Sequence, residues 1–184
     1  MSKTTALSQG QIIESAWLEQ ARSSETANNL KSEIAKWRNR AAIAGVLGAF
    51  LEVLAASLAV LGESWFWPRA LVALAGAAIL SVVPFVVKTK TSKDQVRAWI
   101  RARSTSEALK EMIYRYLLRV EPFKLESTPS DLIIRCQVIK EKVQDLNIHA
   151  ASIEPQRKMR PLALNIDDYV EKRVNDQINN YYRP

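Results

Sequence analysis

This chain of 184 residues has one cysteine, one histidine and, across two long apolar runs, a single charge. Each scarcity excludes something. Cys136 stands alone, so no internal disulfide can close. His149 has no cysteine or carboxylate cluster around it, and no paired metal-ligand spacing occurs anywhere, so no metal is expected. A P-loop, a dinucleotide glycine pattern and a nucleophile elbow are also missing, so neither catalysis nor a cofactor is expected. About 40 mostly polar residues precede the first apolar run, which is the wrong layout for a cleavable signal peptide.

What is present is a strong segregation that an average hydropathy conceals. Residues 41–61 read AAIAGVLGAFLEVLAASLAVL, with Glu52 as the sole charge, and residues 70–87 read ALVALAGAAILSVVPFVV, with none. A helix needs about 20 mostly apolar residues to cross the hydrocarbon core. The second run extends backwards to about residue 66 through its flanking aromatics. A buried helix of a soluble protein normally keeps a polar face, and these runs have none.

The insertion energy is favourable but narrow. The first run holds ten Leu, Ile, Val or Phe residues; at about −0.3 to −0.6 kcal/mol each they supply roughly −3 to −6 kcal/mol. A central carboxylate costs about +2.5 to +3.5 kcal/mol.

Lysine and arginine orient the pair. Lys31, Lys36, Arg38 and Arg40 precede the first run, and Lys88, Lys90, Lys93, Arg97, Arg101 and Arg103 follow the second. The loop 62–69 carries only Arg69, with Trp65 and Trp67 where an interfacial belt belongs. The positive-inside rule therefore predicts an all-α, multi-pass inner-membrane protein. It is an antiparallel transmembrane hairpin over 41–87, with the loop outside and both termini cytoplasmic. The net charge of +7 clusters beside the membrane, where anionic lipid accounts for it without a nucleic-acid partner.

The flanks read as cytoplasmic helices. Ile13, Trp17, Leu30, Ile34 and Trp37 recur at helical spacing within 9–40, with a polar gap at 23–29, and this helix is expected to run straight into the first span. Residues 92–120 contain no Gly or Pro, and Pro122 is expected to stop that helix. Thr128, Pro129 and Asp131 form a helix start: a cap, a first-turn proline and an acid at the positive end. Leu132, Cys136, Ile139, Val143 and Leu146 then make a short heptad seam that ends the 88–147 segment, and Cys136 reads there as a small buried hydrophobe. Over 148–184 a basic loop with Pro155 and Pro161 leads to a last helix from Asn165.

Inside the membrane Glu52 asks for an explanation. Ala41, Gly45, Gly48, Ala55, Ala56 and Ala59 share its helical face, and all are small. Small stripes are where membrane helices approach closely. The second run carries its own stripe, Ala70, Ala73, Ala77, Ser81 and Pro84, with Ser81 near enough to donate a hydrogen bond to Glu52. Glu52 is then either a protonated helix–helix contact or a pore-lining acid, and conduction requires several copies of the chain.

The segment VRAWIRARSTSEALKEMIYRYLLRVEPF resembles the SLATT family, the SMODS- and SLOG-associating two-transmembrane effector domains of bacteria. The resemblance rests on Trp99, Arg101, Arg103, Ser106, Glu107, Leu109, Lys110 and Tyr114 to Leu117, and covers about residues 30–147. YVEKRVNDQINNYY, with Tyr169, Arg173, Asp176, Gln177, Tyr181 and Tyr182, is similar to the helix that leads into a SLATT hairpin, though no hairpin follows. The resemblance implies a pore-forming effector of an anti-phage or conflict system. It implies an oligomer, gated through a cytoplasmic collar at Trp99, Arg101, Arg103 and Glu107 and activated by a nucleotide-signalling or sensing partner. The alternative is a non-conducting anchor or scaffold that recruits a soluble partner through the 128–147 seam.

Overall fold

A computed structural model of the chain describes residues 9–151, 153–155, 170–175 and 178, and every described element is helical. Among the described residues there are five α-helices: α1 (Gln9–Leu58), α2 (Phe66–Lys90), α3 (Lys93–Leu117), α4 (Pro129–Glu141) and α5 (Asn147–Ala150). A π-helical turn spans Val170–Asn175; α5 takes in the first residues of the stretch expected as a basic loop, and the loop from residue 156 and the rest of the helix expected from Asn165 lie outside the described residues. The chain divides into two units. One comprises residues up to Thr26 together with those from Arg101 onward, and the other comprises Ala27–Ile100.

The second unit holds the hairpin. As expected, the polar lead-in and the first apolar run are one uninterrupted helix, α1. Two short 3-10 turns, Ala59–Leu61 and Glu63–Trp65, reverse the chain around Gly62. Gly62 takes φ 92°, a backbone state that costs a side-chain-bearing residue and costs glycine nothing. α2 then returns antiparallel to α1. Trp37 meets Lys90 near one end of the pair, and Gly48 meets Gly76 and Leu80 farther along. On α1, Ala27, Ile34, Ala41, Gly48 and Ala55 are all buried at strict seven-residue intervals. That is the repeat of left-handed helix packing, which keeps one narrow seam against a partner helix.

The outer faces are bare and apolar. Ile43, Val46, Phe50, Leu71, Leu74 and Phe85 are each 61–73% exposed. Only 17% and 6% of the most apolar windows of the two helices is buried, whereas the core helix of a soluble protein is covered on most sides. Both helices are long and apolar enough to cross a membrane.

α2 and α3 are separate helices. The helix breaks at Thr91 (φ −127°, ψ 34°), and α3 restarts with Ser92 accepting the Gln95 N–H through its hydroxyl at 3.3 Å, an N-cap. α2 and α3 are therefore a jointed pair and not one rod. α3 also ends before Pro122 can act. Arg119 takes φ 54°; its N–H bonds the Tyr116 carbonyl and the Val120 N–H bonds the Arg115 carbonyl. This is a Schellman closure with arginine where glycine is usual. Arg119 is held there by stacking 4.6 Å over the Tyr116 ring and by donating to the Ser127 carbonyl at 2.9 Å.

The first unit is a small helical core. Ile12, Ile13, Ala16 and Trp17 of α1 pack with Leu109, Ile113 and Tyr116 of α3, with Phe123, and with Leu132 and Cys136 of α4. The expected start of α4 is present: the Thr128 N–H donates to Asp131 Oδ2 at 2.7 Å. The heptad seam behind it turns inward. Leu132, Cys136 and Leu146 are buried and Ile139 packs on the same core. Leu132, Cys136 and Ile139 thus pack within the chain's own unit. One polar link crosses the core, Gln20 Nε2 donating to Ser106 Oγ at 2.9 Å with both residues buried.

Candidate functional site

In the hairpin α1 and α2 approach closely at Gly48 and Gly76. A Cβ built on Gly48 would lie 2.7 Å from Leu80 Cγ and 3.2 Å from the Gly76 carbonyl oxygen. One built on Gly76 would lie 3.1 Å from the Gly48 carbonyl oxygen and 2.8 Å from Glu52 Oε1. Neither position admits even alanine without movement. The Glu52 carboxylate therefore rests directly on the backbone of α2 at Gly76, a space that exists because no side chain fills it. Glu52 is half-buried, between the buried Gly48 and Ala55.

The other intramembrane candidates divide by face. Gly45 is half-buried but has open space around it. Ala77 and Ser81 are exposed, one position past the contact residues Gly76 and Leu80. The Ser81 hydroxyl donates to the Ala78 carbonyl at 2.8 Å within its own helix, not to Glu52. Ala56 and Ala59 are exposed as well. Gly76 was missed by the stripe at Ala73 and Ala77, yet a signal was there. It is the only glycine of α2, and a mid-helix glycine costs about 0.5–1 kcal/mol relative to alanine, which a close approach can repay.

Of the collar residues, Trp99, Arg103 and Glu107 stand at i, i+4 and i+8 along α3. Trp99 is half-buried in the hairpin unit. In the other unit Arg103 and Glu107 make an exposed i,i+4 pair at 2.9 Å, a geometry worth only a few tenths of a kcal/mol. Arg101 turns elsewhere. Its guanidinium donates to both Asp145 oxygens, at 2.5 and 2.8 Å, and to the Lys142 carbonyl at 2.9 Å, tying α3 to the segment after α4. That hydrogen bonding, with the Arg101 charge, holds the Asp145 carboxyl below the usual carboxylate range. Burial pushes the Cys136 thiol up to about 11, against the opposing charge of Lys140. A thiol held neutral is not a nucleophile. Among the described residues no group of three His, Cys, Asp or Glu side chains is placed to hold a metal ion.

Against known proteins, one family model matches, over residues 18–131: Protein of unknown function (DUF4231). The match spans α1 from Leu18, the whole hairpin, α3 and the start of α4. No curated protein and no solved structure matches the chain.

Proposed function

The chain belongs to the DUF4231 family, and from that premise we propose that it is an oligomeric, membrane-embedded pore-forming effector of a bacterial anti-phage or conflict system, of the SLATT kind. The hairpin lies in the inner membrane with its 62–69 loop outside and both termini in the cytoplasm. A nucleotide-signalling or sensing partner triggers opening. The observation that carries the reading is Glu52, a carboxylate seated on glycine backbone at the tightest crossing of two helices whose outer faces are apolar. Acids at membrane depth are costly and mark ion paths or close helix contacts. Two helices alone cannot enclose a water path, so several hairpins must surround one. The exposed small residues Ala56, Ala59, Ala77 and Ser81 give neighbouring hairpins faces on which to approach. In the anchor reading the docking seam is Leu132 to Leu146, of which Leu132, Cys136 and Ile139 pack in the chain's own core.

The test is ion flux from liposomes that contain the purified full chain, with subunit cross-linking as a control for assembly. Wild-type protein is expected to conduct. Glu52→Gln keeps shape and much of the hydrogen bonding, so oligomers should persist while conductance or cation preference changes. Oligomeric, correctly inserted protein that passes no ions overturns the pore. Identical flux from wild type and the Gln variant at every pH reduces Glu52 to a helix contact.

A further inference from the structure

The first unit contains a cavity of about 370 Å³ between α1, α3 and the end of α4 with the helical turns behind it. Its walls are of two kinds. Ala102, Val143, Leu146 and Ala150 form an apolar side, and Glu19, Arg22 and Lys140 a charged one. The charges do not cancel, because two cations share one carboxylate. Arg22 Nη1 lies 3.3 Å from Glu19 Oε1 and Lys140 Nζ lies 3.2 Å from Oε2, both longer than the roughly 2.7–2.9 Å of a good charge-assisted bond. Arg22 Nε is buried and has no hydrogen-bond partner. A guanidinium N–H taken from water and left unpaired bears its desolvation penalty uncompensated. Arg101, in the same unit, is the contrast. It donates three hydrogen bonds at 2.5–2.9 Å, to Asp145 and the Lys142 carbonyl. Arg101 is engaged by the segment after α4, and Arg22 lies beside a cavity with its Nε unpaired.

We propose that this cavity is a binding site for a small organic anion, one oxyanion group carried on an apolar body of one or two rings. The oxyanion takes the place at Arg22 and Lys140 that Glu19 fills poorly, and the body lies on Val143, Leu146 and the alanines. The single excess positive charge suits a monoanion, and the volume sits at the small end of the roughly 300–1,000 Å³ range of ligand sites. The site does not depend on whether the hairpin conducts.

The experiment is calorimetric titration of the full chain in detergent micelles with naphthoate, with naphthamide as the neutral isostere and acetate as the head group alone. Naphthoate is expected to bind saturably at one-to-one, at least about tenfold more tightly than either control, because only it satisfies both walls. Arg22→Gln and Lys140→Gln should each weaken it about tenfold or more, and Glu19→Gln should tighten it by removing the competitor. Ala150→Leu keeps every charge, fills the apolar side and should abolish binding with the helical circular dichroism unchanged. Lys140 sits near the solvent-exposed end of α4, so its variant keeps the test sound if Arg22→Gln fails to fold. Equal affinity for naphthoate and naphthamide, undiminished binding by folded Lys140→Gln, or uptake that never saturates overturns the proposal.

Discussion

At the residue scale, the absence of a side chain matters as much as the presence of one. Gly76 and Gly48 set the distance between α1 and α2, and Glu52 occupies the space they leave. Gly76→Ala puts a methyl group within 2.8 Å of the carboxylate and 3.1 Å of the opposite backbone. Overpacking of this sort costs about 1–3 kcal/mol. Thermal unfolding in micelles should show that loss for Gly76→Ala, whereas Ala77→Leu, on the exposed face, should leave the hairpin within about 0.5 kcal/mol of wild type and act instead on cross-linking between copies. Equal effects in the two variants would contradict the crossing geometry. Cys136 makes a second residue-scale prediction. Its raised titration, near 11, means that folding stability linked to this thiol is intact below the ordinary thiol range and declines as pH rises towards 11. At about pH 8 a chromogenic aryl disulfide should label the native chain at least roughly 100-fold more slowly than the unfolded chain. Fast labelling of folded protein would place the thiol outside the core.

At the scale of elements, the joint between α2 and α3 matters most. The break at Thr91 and the cap at Ser92 give each helix its own terminus. α3 is in turn tied by Arg101 to the segment behind α4. The sign of its pH dependence follows from Asp145, whose carboxyl is held low by that hydrogen bonding. The stabilisation is complete above the ordinary carboxylate value of roughly pH 4 and is lost as pH falls through the lowered value in the folded chain. Hydrogen exchange in residues 142–150 should therefore stay slow to below roughly pH 4 in wild type. In Asp145→Asn it should be faster at neutral pH and insensitive to acid, and a wild type that loosens above pH 5, ahead of any carboxylate titration, would count against the tie. The exposed Arg103–Glu107 pair is too weak to decide stability, so reversing both charges should leave unfolding unchanged and touch only function.

At the scale of the whole molecule, the two units divide the labour. The hairpin unit exposes apolar side chains over both of its long helices, an arrangement that water disfavours and hydrocarbon accepts. The other unit buries Trp17, Leu109, Ile113, Tyr116 and Leu132 as an ordinary soluble core does. The lysine and arginine asymmetry between flanks and loop predicts the orientation. Reporter fusions within residues 62–67 should be active outside the inner membrane, and fusions at either terminus should be active inside. A cytoplasmic loop would refute the hairpin topology.

Composition and periodicity alone determined the helical class, the two long apolar helices, the unbroken run of α1 and the start of α4, because each follows from interactions within a few turns. Local chemistry settles whether Thr128 starts a helix and whether a run is long and apolar enough to cross a membrane. Tertiary structure alone decided which face of α2 meets α1. Ala73, Gly76 and Ala77 are all small, and choosing among them depends on the crossing angle and on the seven-residue seam through Gly48, neither of which one helix contains. It also decided that the seam of α4 closes a core, that Ser81 bonds its own helix, and that Arg22, Lys140 and Glu19 share a cavity. Glu19 and Lys140 are 121 residues apart in the chain. No helical period links them, and only packing of α1 against α4 brings their charges within 3.2 Å.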